Sequence, residues 1–102
     1  PYTSYNAAGV EITKGQYTSG QRSGFWVFRD ELGSKTSEGI YIDGEQDSIW
    51  TYYHPNGKCS SRLPNSGGVT HGIGSYYTPE GTHFMDKLFE FDNLVAYRPV
   101  VN

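Results

Sequence analysis

The side chains with soft-metal chemistry in this 102-residue sequence are Cys59, His54, His71 and His83. Finger-type sites need closely spaced pairs such as C-x2-C or H-x3-H, and neither spacing occurs, so the histidines read as polar turn surface. A hard cation is the next candidate, because Asp43, Glu45 and Asp47 cluster around Gly44. An EF-hand loop sets its glycine after three alternating acidic or amide positions and ends on a glutamate, and Gly44 is in the wrong place for that. The trio reads instead as a solvated turn. With Asp30 and Glu31 it forms a negative rim suited to docking a basic partner, since such a rim acts mainly on association rate and selectivity. Serines are frequent, but Gly72-Ile73-Gly74-Ser75 leads to Tyr77 where a nucleophile elbow needs glycine. Gly67 to Gly72 is glycine-rich without the Gly-Lys-Ser/Thr that a phosphate loop requires. Paired carboxylates for glycoside hydrolysis need a deep cleft, which stacked hairpins of this length do not build. The expectation is a non-enzymatic chain with no metal, no cofactor and no small-molecule substrate.

Bulk composition narrows the partners further. Eight Lys and Arg against eleven Asp and Glu leave a formal charge of −3, which provides no field for a phosphate backbone, so nucleic acid is not expected. The basic residues are scattered, which disfavours membrane-lipid headgroups as the main partner. No apolar run approaches the ~20 residues of a membrane-spanning helix. One cysteine cannot form an internal disulfide, and this leans towards a reducing, cytoplasmic setting. The chain opens at Pro1 without a methionine, as after removal of a leader or excision from a longer parent. Hydrophobic residues make up only 35%, whereas glycines number 13 and tyrosines nine, with a mean hydropathy of −0.62. That mixture points to tightly turned β-structure held by rings.

The elements that position these residues follow from a repeat. Gly9, Gly33, Gly57 and Gly81 are spaced by 24 residues, as are Gly20, Gly44 and Gly68. Trp26 and Trp50 share that offset, and so do Phe28, Tyr52 and Tyr76, then Tyr53 and Tyr77, then Tyr17 and Tyr41. The chain therefore divides into about four copies, 2–24, 25–48, 49–72 and 73–97, within a single domain spanning 1–102. In the second copy, Phe25-Trp26-Val27-Phe28 has strand composition and ends at the turn containing Gly33; Ile40-Tyr41-Ile42 returns, and Asp43-Gly44 closes a further hairpin. In the third, Ile49 to Tyr53 leads to His54-Pro55-Asn56-Gly57 and back.

A lone hairpin is marginal in water, so the units must stack. Alternation sends positions 26, 28, 50, 52, 74 and 76 to one face and 25, 27, 49, 51, 73 and 75 to the other. The first face carries Trp26, Phe28, Trp50, Tyr52 and Tyr76 and is the expected core, with Trp26 over Trp50 and Phe28 over Tyr52 and Tyr76. Tyr53 and Tyr77 fall on the opposite face in a column with Arg29. An exposed Arg/Tyr stripe has the composition of an interface hot spot, which makes Arg29, Tyr53 and Tyr77 the candidate binding residues. Cys59 to Gly68 lacks the aromatic of the Tyr17/Tyr41 register and contains Pro64, so it reads as an edge segment or loop. Phe84 to Tyr97 reads as a last hairpin plus a cap, within 84–102, over the open end.

Gly-Gln-Tyr-x-x-Gly-x-x-x-Gly-x-Trp-x-Phe at Gly15–Phe28, and Gly-Ile-Tyr-x-x-Gly-x-x-x-Ser-x-Trp-x-Tyr-Tyr-x-x-x-Gly at Gly39–Gly57, resemble the MORN repeat, in its bacterial variant with a period of 22 to 24. The resemblance covers nearly the whole chain and weakens after Cys59. It implies an all-β, single-domain solenoid or curved sheet of about four stacked antiparallel hairpins. It also implies a binding platform or spacer without catalytic residues. Bacterial chains built only of this variant resemble antitoxins of toxin–antitoxin systems. The functional expectation is a protein-binding module acting as an antitoxin or immunity-type neutraliser through Arg29, Tyr53 and Tyr77, with Asp43, Glu45 and Asp47 at the rim. The alternative is a scaffolding segment of a larger protein that contacts membrane lipid or self-assembles.

Overall fold

Two kinds of turn alternate along the chain, and they set the architecture of the computed structural model, which describes residues 1–101. One kind is the two-residue hairpin turn. Asp43 and Gly44 both adopt positive φ, 51° and 83°, the backbone of a type I′ turn, whose twist matches that of the flanking strands. The other is a wider turn stapled by its first side chain. Asp30 Oδ1 accepts the N–H groups of Leu32 and Ser34 at 2.9 and 3.0 Å, and Asn6 does the same for Ala8 and Val10. Such side-chain-to-backbone bonds are why Asn and Asp start turns.

Between the turns the described residues form ten strands: β1 (Tyr2–Tyr5), β2 (Glu11–Thr18), β3 (Gln21–Arg29), β4 (Lys35–Ile42), β5 (Glu45–Tyr53), β6 (Cys59–Ser66), β7 (Val69–Thr70), β8 (Gly72–Tyr77), β9 (His83–Glu90) and β10 (Asn93–Pro99). They form one antiparallel sheet in the order β1-β2-β3-β4-β5-β6-β8-β9-β10, with the short β7 paired to β6. The all-β, hairpin-stacked sheet expected from the repeat is the fold. It is a single layer, 42 × 30 × 16 Å. The copy boundaries at 24/25, 48/49 and 72/73 fall inside β3, β5 and β8 rather than between hairpins.

The core is smaller than the aromatic column implied. Trp26 and Trp50 are the fully buried hydrophobic side chains, at 0% and 1% exposure, while Phe28, Tyr52 and Tyr76 are half-buried on the same face. The expected stacking of Trp26 on Trp50 is not what buries them. Equivalent residues lie two strands apart, roughly 9.6 Å by strand spacing, too far for direct ring contact. The rings of intervening positions close the gap: Tyr41 meets Trp50 edge-on at 5.0 Å and Trp26 at 5.9 Å, and Phe28 lies 6.0 Å from Trp26 and 6.1 Å from Trp50. Tyr2 and Tyr17 complete the cluster around Trp26. Edge-on and offset ring contacts of this kind add roughly 0.5–1.5 kcal/mol each beyond burial.

Each indole also needs a missing side chain beneath it. A Cβ on Gly15 would stand 2.0 Å from Trp26 Cδ2, and one on Gly39 2.4 Å from Trp50 Cδ2. These two glycines are floors for the indoles rather than turn residues. The ladder between β4 and β5 steps from Glu38↔Thr51 to Ile40↔Asp47, so residues 48–50 face the single Gly39. The excess is taken up by Ser48 at φ 60°, as in a β-bulge. Trp50 Nε1 then donates to the Ile40 carbonyl at 3.0 Å, and Trp26 Nε1 to the equivalent Gln16 carbonyl at 3.1 Å. At the third such site the sizes are exchanged. Gly74 stands in the tryptophan position, and Leu63 in the glycine position fills the space, its Cδ2 2.5 Å from where a Gly74 Cβ would be.

Two further expectations are corrected. Cys59–Ser66 is the interior strand β6, paired to β5 along its length and to β7 and β8 on its other side. Pro64 is tolerated there because the β6–β8 ladder reaches only Ser61 and Arg62, so its absent N–H falls beside the short β7. Asn65 is buried in the tyrosine register and accepts the Thr70 hydroxyl at 2.9 Å. The last hairpin forms as β9–β10, but no cap covers it among the described residues: all seven residues of β10 are exposed. Asn102 lies outside the described residues.

Candidate functional site

Directly paired residues of neighbouring strands share a face, so the register identifies what stands opposite the tryptophans. Arg29 pairs with Lys35, Tyr53 with Cys59, and Tyr77 with His83. Arg29, Tyr53 and Tyr77 thus occupy equivalent ends of β3, β5 and β8 on the expected face, each half-buried. They are not a continuous stripe, because a return-strand residue stands between each pair.

Each of the three is engaged by its own neighbours. Arg29 Nη1 donates to the Gly33 carbonyl at 2.9 Å, and its Nε lies 3.7 Å from Glu11 Oε2. The Lys35 ammonium sits 5.0 Å over the Tyr53 ring and 3.0 Å from Glu38 Oε1. Burial, and then the hydrogen bond to Glu38, push the Tyr53 phenol above its ordinary value. The Glu38 carboxylate raises the Lys35 ammonium, chiefly through the hydrogen bond. Tyr77 packs its ring 5.2 Å from that of His83, whose Nε2 is 2.7 Å from Asp86 Oδ1. Burial raises the Cys59 thiol, with Arg62 opposing the shift, which holds it in the less reactive protonated form.

One row inward from this column, Lys14, Glu38, Arg62 and Asp86 stand on β2, β4, β6 and β9, with Val27, Thr51 and Ser75 between them. From β2 to β9 the row alternates in sign every second strand, and Arg98 on the adjoining β10 then lies 3.8 Å from Asp86. A further row is apolar and wet: Phe25 pairs with Ile40, Ile49 with Pro64, and Ile73 with Leu88. Phe25, Ile40, Ile49 and Ile73 are 56%, 38%, 46% and 63% exposed. Ile73 and Leu88 open into a recess of about 270 Å³ that continues to Ala96 and Arg98. Alternation along the strands puts Phe25, Ile49 and Ile73 on this face; Ile40, Pro64 and Leu88 are placed there only by the register. The charged row was missed, although its signal is the same 24-residue offset read in charge rather than in rings: 14, 38, 62 and 86.

The acidic turn stands apart from the Arg/Tyr column, at the other end of the strands. Asp43 and Glu45 are exposed. Asp47 is partly used internally, its Oδ2 accepting the Gly67 N–H at 3.3 Å. The histidines do not converge. His54 Nε2 lies 2.8 Å from the Tyr77 carbonyl oxygen, and His71 Nδ1 accepts from the Phe91 N–H. Among the described residues no group of three or more His, Cys, Asp or Glu could hold a metal ion.

The chain matches no family model, no curated protein and no solved structure.

Proposed function

We propose that this chain is a non-catalytic protein–protein interaction module that docks its partner on the face opposite the tryptophans. The observation that carries this reading is the exposed row of Phe25, Ile40, Ile49 and Ile73, set beside charged residues on a sheet that among the described residues is a single layer. Exposed apolar side chains gathered on one face with a polar border are the signature of a docking face. Arg29, Tyr53 and Tyr77 supply the rim with residue types that dominate interface energetics. The finer reading, an antitoxin or immunity-type neutraliser, rests on the MORN resemblance and on the negative turn at Asp43, Glu45 and Asp47, which suits a basic toxin or enzyme.

Capture of a stoichiometric partner by the intact chain tests this. Tyr53→Ala combined with Tyr77→Ala should abolish capture while the circular dichroism is unchanged; capture that survives both substitutions removes the Arg/Tyr column from the site. A second reading, a scaffolding segment that self-assembles or contacts lipid, is favoured by the exposed edge strand β10, because an unpaired edge is a template for another strand. Flotation with anionic vesicles tests its lipid branch, and clear binding at physiological salt would reverse the order of the two readings.

A further inference from the structure

From β2 to β9 the charged row on the face opposite the tryptophans is antisymmetric about its centre, with the neutral Thr3 of β1 and Arg98 of β10 beyond its ends. Counting across the sheet, Thr51 on β5 is the middle strand's member. Glu38 lies one strand to one side and Arg62 one strand to the other; Lys14 and Asp86 lie three strands out. A two-fold axis laid along β5 over Thr51 turns this row end for end. It sets Glu38 against Arg62 of the second copy and Lys14 against Asp86 of the second copy, each contact occurring twice. The same operation brings Phe25 onto Ile73 of the second copy, Ile49 onto its own equivalent, and the Arg29 guanidinium onto the Tyr77 ring of the second copy. An axis laid along the row would instead place every charge on its like.

We propose that this face is the interface of a two-fold homodimer, in which two copies of the chain stack sheet on sheet as a β-sandwich. The proposal rests on reading the face as a protein-docking surface and names its partner as a second copy. Three features carry it. Stable domains bury a sheet's apolar face under a second layer, and the described residues supply none to a sheet 16 Å thick that carries wet aliphatics. The 42 × 30 Å face is ample for the ~800 Å² per partner of a standard interface. Lys14 and Arg62 are exposed cations of the row that, among the described residues, make no ion pair within the chain; Asp86 and Glu38 of the second copy, which also contact Arg98 and Lys35 of their own chain, complete them. Packed sheets rotate by about 30° relative to each other, which pulls apart pairs far from the axis. The Glu38–Arg62 pairs, one strand from it, are the ones that hold, and the Lys14–Asp86 pairs steer.

Sedimentation equilibrium of the intact chain tests this. The wild-type chain should be dimeric. Glu38→Arg and Arg62→Glu should each weaken the dimer at least about tenfold, because like charges then face each other twice. The double variant Glu38→Arg/Arg62→Glu should return to wild-type association, with circular dichroism confirming that all variants fold. Loss without rescue in the double variant overturns the two-fold register. A dimer insensitive to both single variants but lost on Val95→Lys places the contact on the β10 edge and overturns the face dimer. A wild-type chain that stays monomeric overturns the second copy as partner; if it still captures a different protein through Tyr53 and Tyr77, the docking-face reading survives, and if it captures nothing both fall.

Discussion

Gly39→Ala separates two opposing effects by sign. On backbone grounds alone, replacing glycine inside a strand by alanine removes an entropic penalty and stabilises by roughly 0.5–1 kcal/mol. Gly39 is buried in β4, and a Cβ there would lie 2.4, 2.5 and 2.6 Å from Cδ2, Cε2 and Cγ of Trp50, where carbon atoms settle at about 3.5–4.0 Å. The indole must retreat by roughly 1 Å or more. Overpacking of a filled core costs about 1–3 kcal/mol, and moving Trp50 also strains its 3.0 Å bond to the Ile40 carbonyl, worth about 1 kcal/mol. The expected net loss, after the backbone gain is subtracted, is roughly 1–3.5 kcal/mol, or a fall in Tm of about 4–28 °C for a domain of this size. Urea unfolding followed by far-UV circular dichroism and tryptophan fluorescence reads it directly. A neutral or stabilising Gly39→Ala would refute the floor role of the glycine. The Leu63/Gly74 pair supplies the companion experiment: Gly39→Leu with Trp50→Gly recreates its arrangement, and the double variant should be more stable than the sum of its singles by at least about 1 kcal/mol.

Trp50→Ala should cost on the order of 3–5 kcal/mol in the same assay, since the ring is fully buried; a cost near that of a surface residue would reverse the assignment of the two faces. The phenols of Tyr53 and Tyr76 and the Lys35 ammonium are all raised, by burial for the tyrosines and chiefly by the Glu38 hydrogen bond for the lysine. Groups raised on folding stabilise below their unfolded pKa and lose that contribution as pH climbs through the folded value. Melting temperature should therefore fall on the alkaline side, beginning near the ordinary tyrosine range, and an alkaline-flat profile would contradict this. Cys59, half-buried with a raised thiol, should react with a thiol reagent at pH 8 far more slowly in the folded chain than in urea; equal rates would show an open site.

The repeat, the hairpins and the division into two faces were legible because each is a short-range property. Asp43-Gly44 announces its turn in two residues, and alternation along Phe25-Trp26-Val27-Phe28 separates the faces within one strand. The candidate column of Arg29, Tyr53 and Tyr77 was placed on its face by the same alternation. What misled was judging strands by their own composition. Cys59–Ser66 looked like an edge because of Pro64 and the missing aromatic, yet β5 supplies a full ladder on one side and the short β7 spares the proline on the other. The composition of Phe84–Tyr97 suggests a cover, but β10 adds to the sheet as an open edge.

The 24-residue period by itself determined that this chain is an all-β stack of hairpins, with tryptophans on one face and Arg29, Tyr53 and Tyr77 on the other, since turns and alternation depend on neighbours a few positions apart. Only the tertiary structure decided how copies meet. Register across strands is set by the bulges at Ser48 and its equivalents, and these place Gly39 under Trp50, insert Tyr41 and Phe28 between the indoles, and line up Lys14, Glu38, Arg62 and Asp86 into one row. A bulge changes partners by a residue or two without leaving a mark in composition. That is why the same repeat, read along the chain, yields a recipe for strands and, read across the sheet, a surface.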